Sequence, residues 1–278
     1  MFHGLISGRI ERVLSNYNWD SITEIRLRKG RPLVIFQGTE KIYPRSDAGQ
    51  YIVTADDIEK VLGFATDFSL YAVNDRLTKG YLVKDGVRIG VGGFGVVEQG
   101  KILSIKDANT LVLRVPHEIK GCAEPLIPKI CDQNKPKSTL IISPPGAGKT
   151  TMLRDIARLI SKSVNTVIID ERLEIAGANC TLDIGESEVI SGVDKCLAYE
   201  FAIRTMSPDI IVTDEVFSKA EVDSVEDVTR AGVKILASIH GKDINSIKNS
   251  KVFCPLTELF EVFVTLSPIG KVESIEYK

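Results

Sequence analysis

The sequence predicts an α/β protein: a C-terminal half built on a parallel-rich sheet, preceded by a smaller α+β domain. Three observations predict it. The runs TLIIS, TVIID, DIIVTD and KILASI are short, continuous and rich in Ile and Val, and stretches long enough for crossover helices separate them. Strands buried on both faces have that composition. Ahead of them lies a region of alternating apolar and polar residues with hairpin signals, as an antiparallel sheet requires. Between the two, residues 116–137 carry Pro116, Pro125, Pro128 and Pro136 and read as a connector with one short helix. The expected organisation is 1–115, 116–137 and 138–278.

The bulk numbers fit that organisation. The chain has 278 residues, 44% hydrophobic and 26% charged, with a formal net charge of −2, so it can bury a core and lacks the composition of a disordered chain. Near-neutral charge and few aromatics speak against a polyanion-binding surface. Five widely spaced cysteines with no C-x-x-C pair suggest neither a disulfide framework nor a zinc site. No stretch approaches the ~20 apolar residues of a membrane-spanning helix, and the first 20 residues lack secretory-signal features. A cytoplasmic protein with no integral membrane segment is expected.

In chain order, Leu5, Ile6, Ile10, Val13, Leu14 and Tyr17 recur at helical spacing, and EIRLRKGRPLVIF reads as two strands about a Gly30-Arg31-Pro32 turn. Thr54, Asp56 and Asp57 announce a helix carrying Ile58, Val61, Leu62 and Ala65. Asp85-Gly86 lies between two alternating runs, a hairpin signal, and TLVLRV supplies another strand. At the far end, two edge strands are expected about Pro268-Ile269-Gly270.

The chemistry lies in the second half. A triphosphate calls for converging backbone N–H donors, a mobile cation and a hydroxyl for Mg²⁺. TLIISPPGAGKTTMLRDIARLIS supplies them in order: a strand, a loop of Pro145, Gly146, Ala147 and Gly148, then Lys149, Thr150 and Thr151 opening a helix. Ser143 stands where the strict pattern has glycine. Lys149 is assigned to the outer phosphates of ATP, and Thr150 with Asp214 to Mg²⁺. Asp214 and Glu215 end a buried-type strand, where ligands bind in parallel sheets, and Glu215 suits the orientation of water. A third run ends in Asp170, Glu171, Arg172 and Glu174, with Glu171 preferred as a second catalytic carboxylate and Glu174 next. An ordinary solvated loop is an equal reading for any one of them. His240, ending the fourth run, is placed to sense a γ-phosphate. Arg204 either reaches a neighbouring phosphate or pairs with an acid.

Taken together, EIRLRKGRPL, SPPGAGKTTMLRDIAR, DERLEIAG, AIRTMSPDIIVTDE and ASIHG resemble, in that order, the stage III sporulation protein AA family, itself similar to the ATPases of type II and type IV secretion systems. The resemblance implies a RecA-like P-loop ATPase core behind a smaller domain. It also implies assembly into a ring, expected to be hexameric, with ATP and Mg²⁺ at sites where domains and subunits meet. The mother-cell cytoplasm, at the forespore membrane, and partners in a membrane channel or secretion-like complex follow from it as well. First-domain arginines would complete the phosphate pocket, the candidates being Arg26, Arg28, Arg76, Arg88 and Arg114.

Other functions use the same loop. A nucleic-acid-dependent RecA-like ATPase is the main alternative, its basic strand EIRLRKGR facing a phosphate backbone. A nucleotide-gated scaffold and a small-molecule kinase rank lower, because the tandem Asp214-Glu215 favours hydrolysis and a kinase has no evident use for His240.

Overall fold

The computed structural model describes residues 4–38, 40–67, 81–84, 86–98, 101–114, 119–177 and 180–278. Two compact units divide the chain, Met1–His117 and Glu118–Lys278.

In the first unit, Ser7 caps helix α1 (Gly8–Leu14) by accepting from the N–H of Ile10. Leu5 and Ile6, which the apolar spacing groups with that helix, are buried but precede it. Helix α2 (Ala55–Ala65) begins with a capping box between Thr54 and Asp57, so two otherwise orphaned backbone donors are satisfied. Strands β1 (Ile22–Arg28), β2 (Val34–Gln37) and β3 (Glu40–Ile42) are followed by the small pair β4 (Arg45–Ser46) and β5 (Gly49–Gln50). Further on come β6 (Tyr81–Lys84), β7 (Val87–Glu98) and β8 (Lys101–Arg114). The main sheet is antiparallel in the order β3-β2-β1-β8-β7-β6. Ile25, Leu27, Leu111, Leu113 and Ile89 form a core with Ile10 and Leu14 of α1 and Ile58 and Val61 of α2. Residues 110–114 of TLVLRV are the end of the 14-residue strand β8, and Val115 lies outside the described residues. Of the Asp85-Gly86 turn, Gly86 has φ 77°, the left-handed region such turns require; Asp85 lies outside the described residues.

The second unit opens with helix α3 (Ile127–Ile130) and the hairpin β9 (Cys131–Asp132) and β10 (Lys135–Pro136). Ala123, Leu126 and Ile130 are buried in its core, so this part of the expected connector is packed structure. There follow β11 (Thr139–Ser143), α4 (Lys149–Ile160), β12 (Thr166–Asp170), β13 (Glu188–Ser191) and α5 (Lys195–Thr205). Next come β14 (Ile210–Glu215), α6 (Lys219–Arg230), β15 (Lys234–His240), α7 (Ile244–Lys248), α8 (Leu256–Leu259), β16 (Val262–Leu266) and β17 (Val272–Tyr277).

The sheet order is β13-β12-β14-β15-β11-β16-β17, with every neighbouring pair parallel except the antiparallel edge strand β17. Both faces are buried. Leu140, Ile142, Val167, Ile169 and Ile211 point into one core, and Ile141, Ile168, Ile210 and Val212 into the other. Successive side chains of a strand face opposite ways, which is why the apolar runs are continuous and not alternating. The four strands ending in Ser143, Asp170, Glu215 and His240 therefore share one carboxyl edge of the sheet. Among the described residues, no helix is long and apolar enough to cross a membrane.

Candidate active site

The loop leaving β11 reaches its helix through two left-handed glycines, Gly146 at φ 75° and Gly148 at φ 80°. A side chain at either would be strained. A Cβ built on either meets no atom within 4 Å, so both backbones border open space that a phosphate could fill. Gly148 caps the 12-residue α4 without a side-chain hydrogen bond, leaving the first-turn N–H groups to a ligand. The residues fit a nucleotide phosphate. Pro145 is exposed, Ala147 buried, and Thr150 and Thr151 half-buried on the first turn. Gly270, at φ 78° in the β16–β17 turn, packs so closely that a Cβ there would lie 3.0 Å from the carbonyl of Ala147. The expected turn thus supports the loop.

Lys149 is 8% exposed, and its Nζ lies 2.8 Å from Nδ1 of His240. The other ring nitrogen, Nε2, lies 3.1 Å from Oε2 of Glu215. An ammonium can only donate, so Nδ1 accepts from Lys149 and the ring proton sits on Nε2, on the side of Glu215. Burial pulls the Lys149 pKa below the ordinary lysine range, and the Glu215 carboxylate offsets part of that effect. Register explains the meeting: Ser143, where the loop begins, pairs with His240 across β11 and β15. On β14 the pairing slips by one residue between Val212 and Glu215, a bulge of the kind that re-aims side chains next to functional sites.

Asp214 is buried and ion-pairs with Lys195. Asp170, fully buried, accepts three backbone N–H bonds, from Glu174 at 2.8 Å, Ile175 at 3.1 Å and Ala176 at 2.8 Å. Burial raises its pKa despite those bonds, and the charge of Asp214 adds to the rise. Arg154 of α4 grips the same loop, its Nε and Nη2 each donating at 2.6 Å, to the carbonyls of Ile175 and Glu174. The phosphate-loop helix and β12 thus hold the segment bearing Glu171 and Glu174, both half-buried. Arg172 lies over the ring of Phe217, 5.4 Å from its centroid.

The structure joins Lys149, His240 and Glu215 directly and places Asp214 beside them in sequence. It does not join Arg204 to that group: its exposed side chain pairs with Glu200 at 2.6 Å, one turn earlier on α5. In the first unit, Arg26 and Arg114 pair with Glu24, and Arg88 stacks over Tyr81 at 4.5 Å. Arg28 stands at the end of β1, and Arg76 lies outside the described residues. Sequence reasoning missed Lys195 and Arg154. A lysine and an arginine spaced like any others on helices carry no signal of their own; only Asp194, a capping residue just before Lys195, marks that helix start.

Comparison with known proteins agrees with this architecture. Residues 2–276 match the family described as sporulation stage III, protein AA. Stage III sporulation protein AA of Bacillus subtilis is 34% identical over 242 residues, covering 82% of this chain and 76% of the relative. Among solved structures, the Legionella pneumophila ATPase DotB superimposes with a TM-score of 0.61 at 14% identity, covering 92% of this chain and 75% of that one. The pilus retraction motor PilT, crystallised with bound ADP, gives 0.62 at 17% identity, covering 92% and 76%. At such identities the likeness is one of fold, and it shows the RecA-like α/β core behind a smaller α+β domain.

Proposed function

The chain belongs to the sporulation stage III, protein AA family, and from that premise we propose that it is a Mg²⁺-dependent, ATP-hydrolysing motor of the secretion-ATPase type. The observation that carries the reading is the line of contacts from Lys149, hydrogen-bonded to His240, to Glu215 at 3.1 Å from the same imidazole, beside an uncapped helix and a two-glycine loop. Pro145 to Thr151 form the phosphate cradle. Lys149 exchanges its contact with His240 for the outer phosphates, and His240, still 3.1 Å from Glu215, reports that exchange to the carboxylate. Glu215 orients the attacking water and takes up its proton. Thr150 and Asp214 are the oxygen donors suited to Mg²⁺, which in such sites neutralises charge developing on the phosphates. Glu171 and Glu174, on the loop clamped by Asp170 and Arg154, are the further carboxylates. Arg204, exposed on α5, is free to exchange Glu200 for a neighbouring subunit's phosphate.

The assembly proposed is a hexameric ring in the mother-cell cytoplasm, peripheral to the forespore membrane, energising a membrane channel or secretion-like complex. Purified protein should hydrolyse ATP, lose turnover when Mg²⁺ is chelated, and sediment as a ring with nucleotide. A monodisperse preparation that neither binds nor turns over ATP would refute the reading. A second reading, ATP-driven movement on nucleic acid, is favoured by one observation: Arg28, Lys29, Arg31 and Tyr43 line a cleft of about 630 Å³ in the first unit. ATPase stimulation by single-stranded DNA or RNA, with steep salt dependence of binding, would select it over the first.

A further inference from the structure

Lys195 is 2% exposed, although it carries a charge at the first position of α5. Its ammonium ion-pairs with a carboxylate oxygen of Asp214, donates to the main-chain carbonyl of Glu215, and lies 3.4 Å from Oε2 of Glu221. The ammonium hydrogen-bonds the Glu215 carbonyl and Glu221, while its contact with Asp214 Oδ1 is an ion pair without a hydrogen bond. Glu221 is itself fixed: Ser218 Oγ donates to its Oε1 at 3.1 Å, and the Phe217 N–H lies 3.4 Å from its Oε2. The Phe217 ring covers Lys195, 5.3 Å from ring centroid to Nζ. The same ring carries Arg172 of the acidic loop. The contacts fall on the stretch of β14 where the strand bulges and turns out of the sheet.

Burying a lysine is unfavourable unless each donor is met, and apolar packing would serve the core as well. The particular work this ammonium does is geometric. It ties the side chain of one residue of the tandem carboxylates and the backbone of the other to a helix outside β14. We infer that Lys195 is a positioning residue of the hydrolytic site, fixing the bulge so that Asp214 faces the metal side and Glu215 stays beside His240. The inference rests on the ATPase reading above.

The test compares three full-length proteins: wild type, Glu221→Gln, and Lys195→Met with Glu221→Gln. The double variant removes one positive and one negative buried charge together, so the cluster keeps its net charge. Expected are turnover within about threefold of wild type in Glu221→Gln, and a fall in kcat of tenfold or more with KM nearly unchanged in the double variant. The gain in affinity for a fluorescent ATP analogue on adding Mg²⁺ should also shrink at least twofold in the double variant, while affinity in EDTA holds. A purely structural lysine would lower the melting temperature and leave kcat per folded molecule and the Mg²⁺ gain intact, which overturns the proposal. Lys195→Gln with Glu221→Gln, which keeps one donor for the Glu215 carbonyl, is the second variant. If both doubles fail to fold, Lys195 belongs to the fold alone and the proposal falls. A wild type that neither binds nor hydrolyses ATP removes the ATPase reading and this inference with it, whereas an active wild type matched by the doubles removes only the inference.

Discussion

Lys149 Nζ and His240 Nδ1 lie 2.8 Å apart, although 91 residues of chain separate them. The cation that a phosphate would claim already has a partner, and that partner lies 3.1 Å from the carboxylate proposed to orient water. In the function proposed, binding and hydrolysis are linked through one imidazole.

Replacing Lys149 with Ala should abolish tight ATP binding. Charge-assisted hydrogen bonds contribute roughly 1.5–3 kcal/mol each, so affinity should fall by about 10- to 100-fold or more. Equilibrium binding of a fluorescent ATP analogue measures it, and an affinity equal to wild type would contradict the assignment of this loop.

Glu215→Gln should separate the two functions. Binding should stay within a few-fold of wild type, while kcat falls by about 10²–10⁴, the range general-base catalysis supplies. Loss of binding along with turnover would mean that Glu215 supports the loop instead of acting on water.

His240→Ala removes the competitor for Lys149 and the line to Glu215 at once. Nucleotide affinity should rise a few-fold, in keeping with one lost hydrogen bond of about 1 kcal/mol, and turnover should drop. Weaker binding in this variant would argue that the imidazole holds the lysine ready, not back.

Gly270→Ala tests the turn beneath the phosphate loop. Its φ of 78° disfavours a side chain, and the new Cβ would meet the Ala147 carbonyl at 3.0 Å. Left-handed strain of about 1–2 kcal/mol should lower the melting temperature by a few degrees. Nucleotide affinity should fall too, because the loop must shift; stability loss with unchanged affinity would uncouple turn from loop.

Asp57 should make the first unit acid-sensitive. Burial alone would raise its pKa, but hydrogen bonds from Ser7, the Thr54 backbone and side chain, and Tyr51 outweigh it and hold the carboxyl below its ordinary value of 3.8. A depressed folded pKa means stability fully present above that ordinary value and lost as pH falls through the folded one. Denaturant unfolding followed by Trp19, the single tryptophan, which packs against this core, should show stability falling from about pH 5 to pH 3. Asp57→Asn should flatten that dependence; an unchanged slope would assign the acid sensitivity to other carboxylates.

The legible parts of this molecule are those written in neighbouring residues. Continuous Ile and Val runs gave the buried strands, because two-sided burial leaves no polar position. Thr54 with Asp57, and Gly146 with Gly148, carry caps and backbone conformations in their own identities. The edge strand Glu188–Ser191 was not legible: an edge is buried less, and its mixed residues lack the apolar run. Arg204 shows the reverse limit, since spacing placed it near the site's strand while only the fold pairs it with Glu200.

The sequence by itself determined a parallel sheet, a glycine loop before a helix, and polar residues at the carboxyl ends of four strands, because local pattern and backbone chemistry decide all three. The tertiary structure alone decided that His240 stands between Lys149 and Glu215, that β14 bulges, and that a lysine from a different helix holds Asp214. Those depend on register between strands distant in the chain, and pairing over such separations is selected by the packing of whole faces, which no short window of residues encodes.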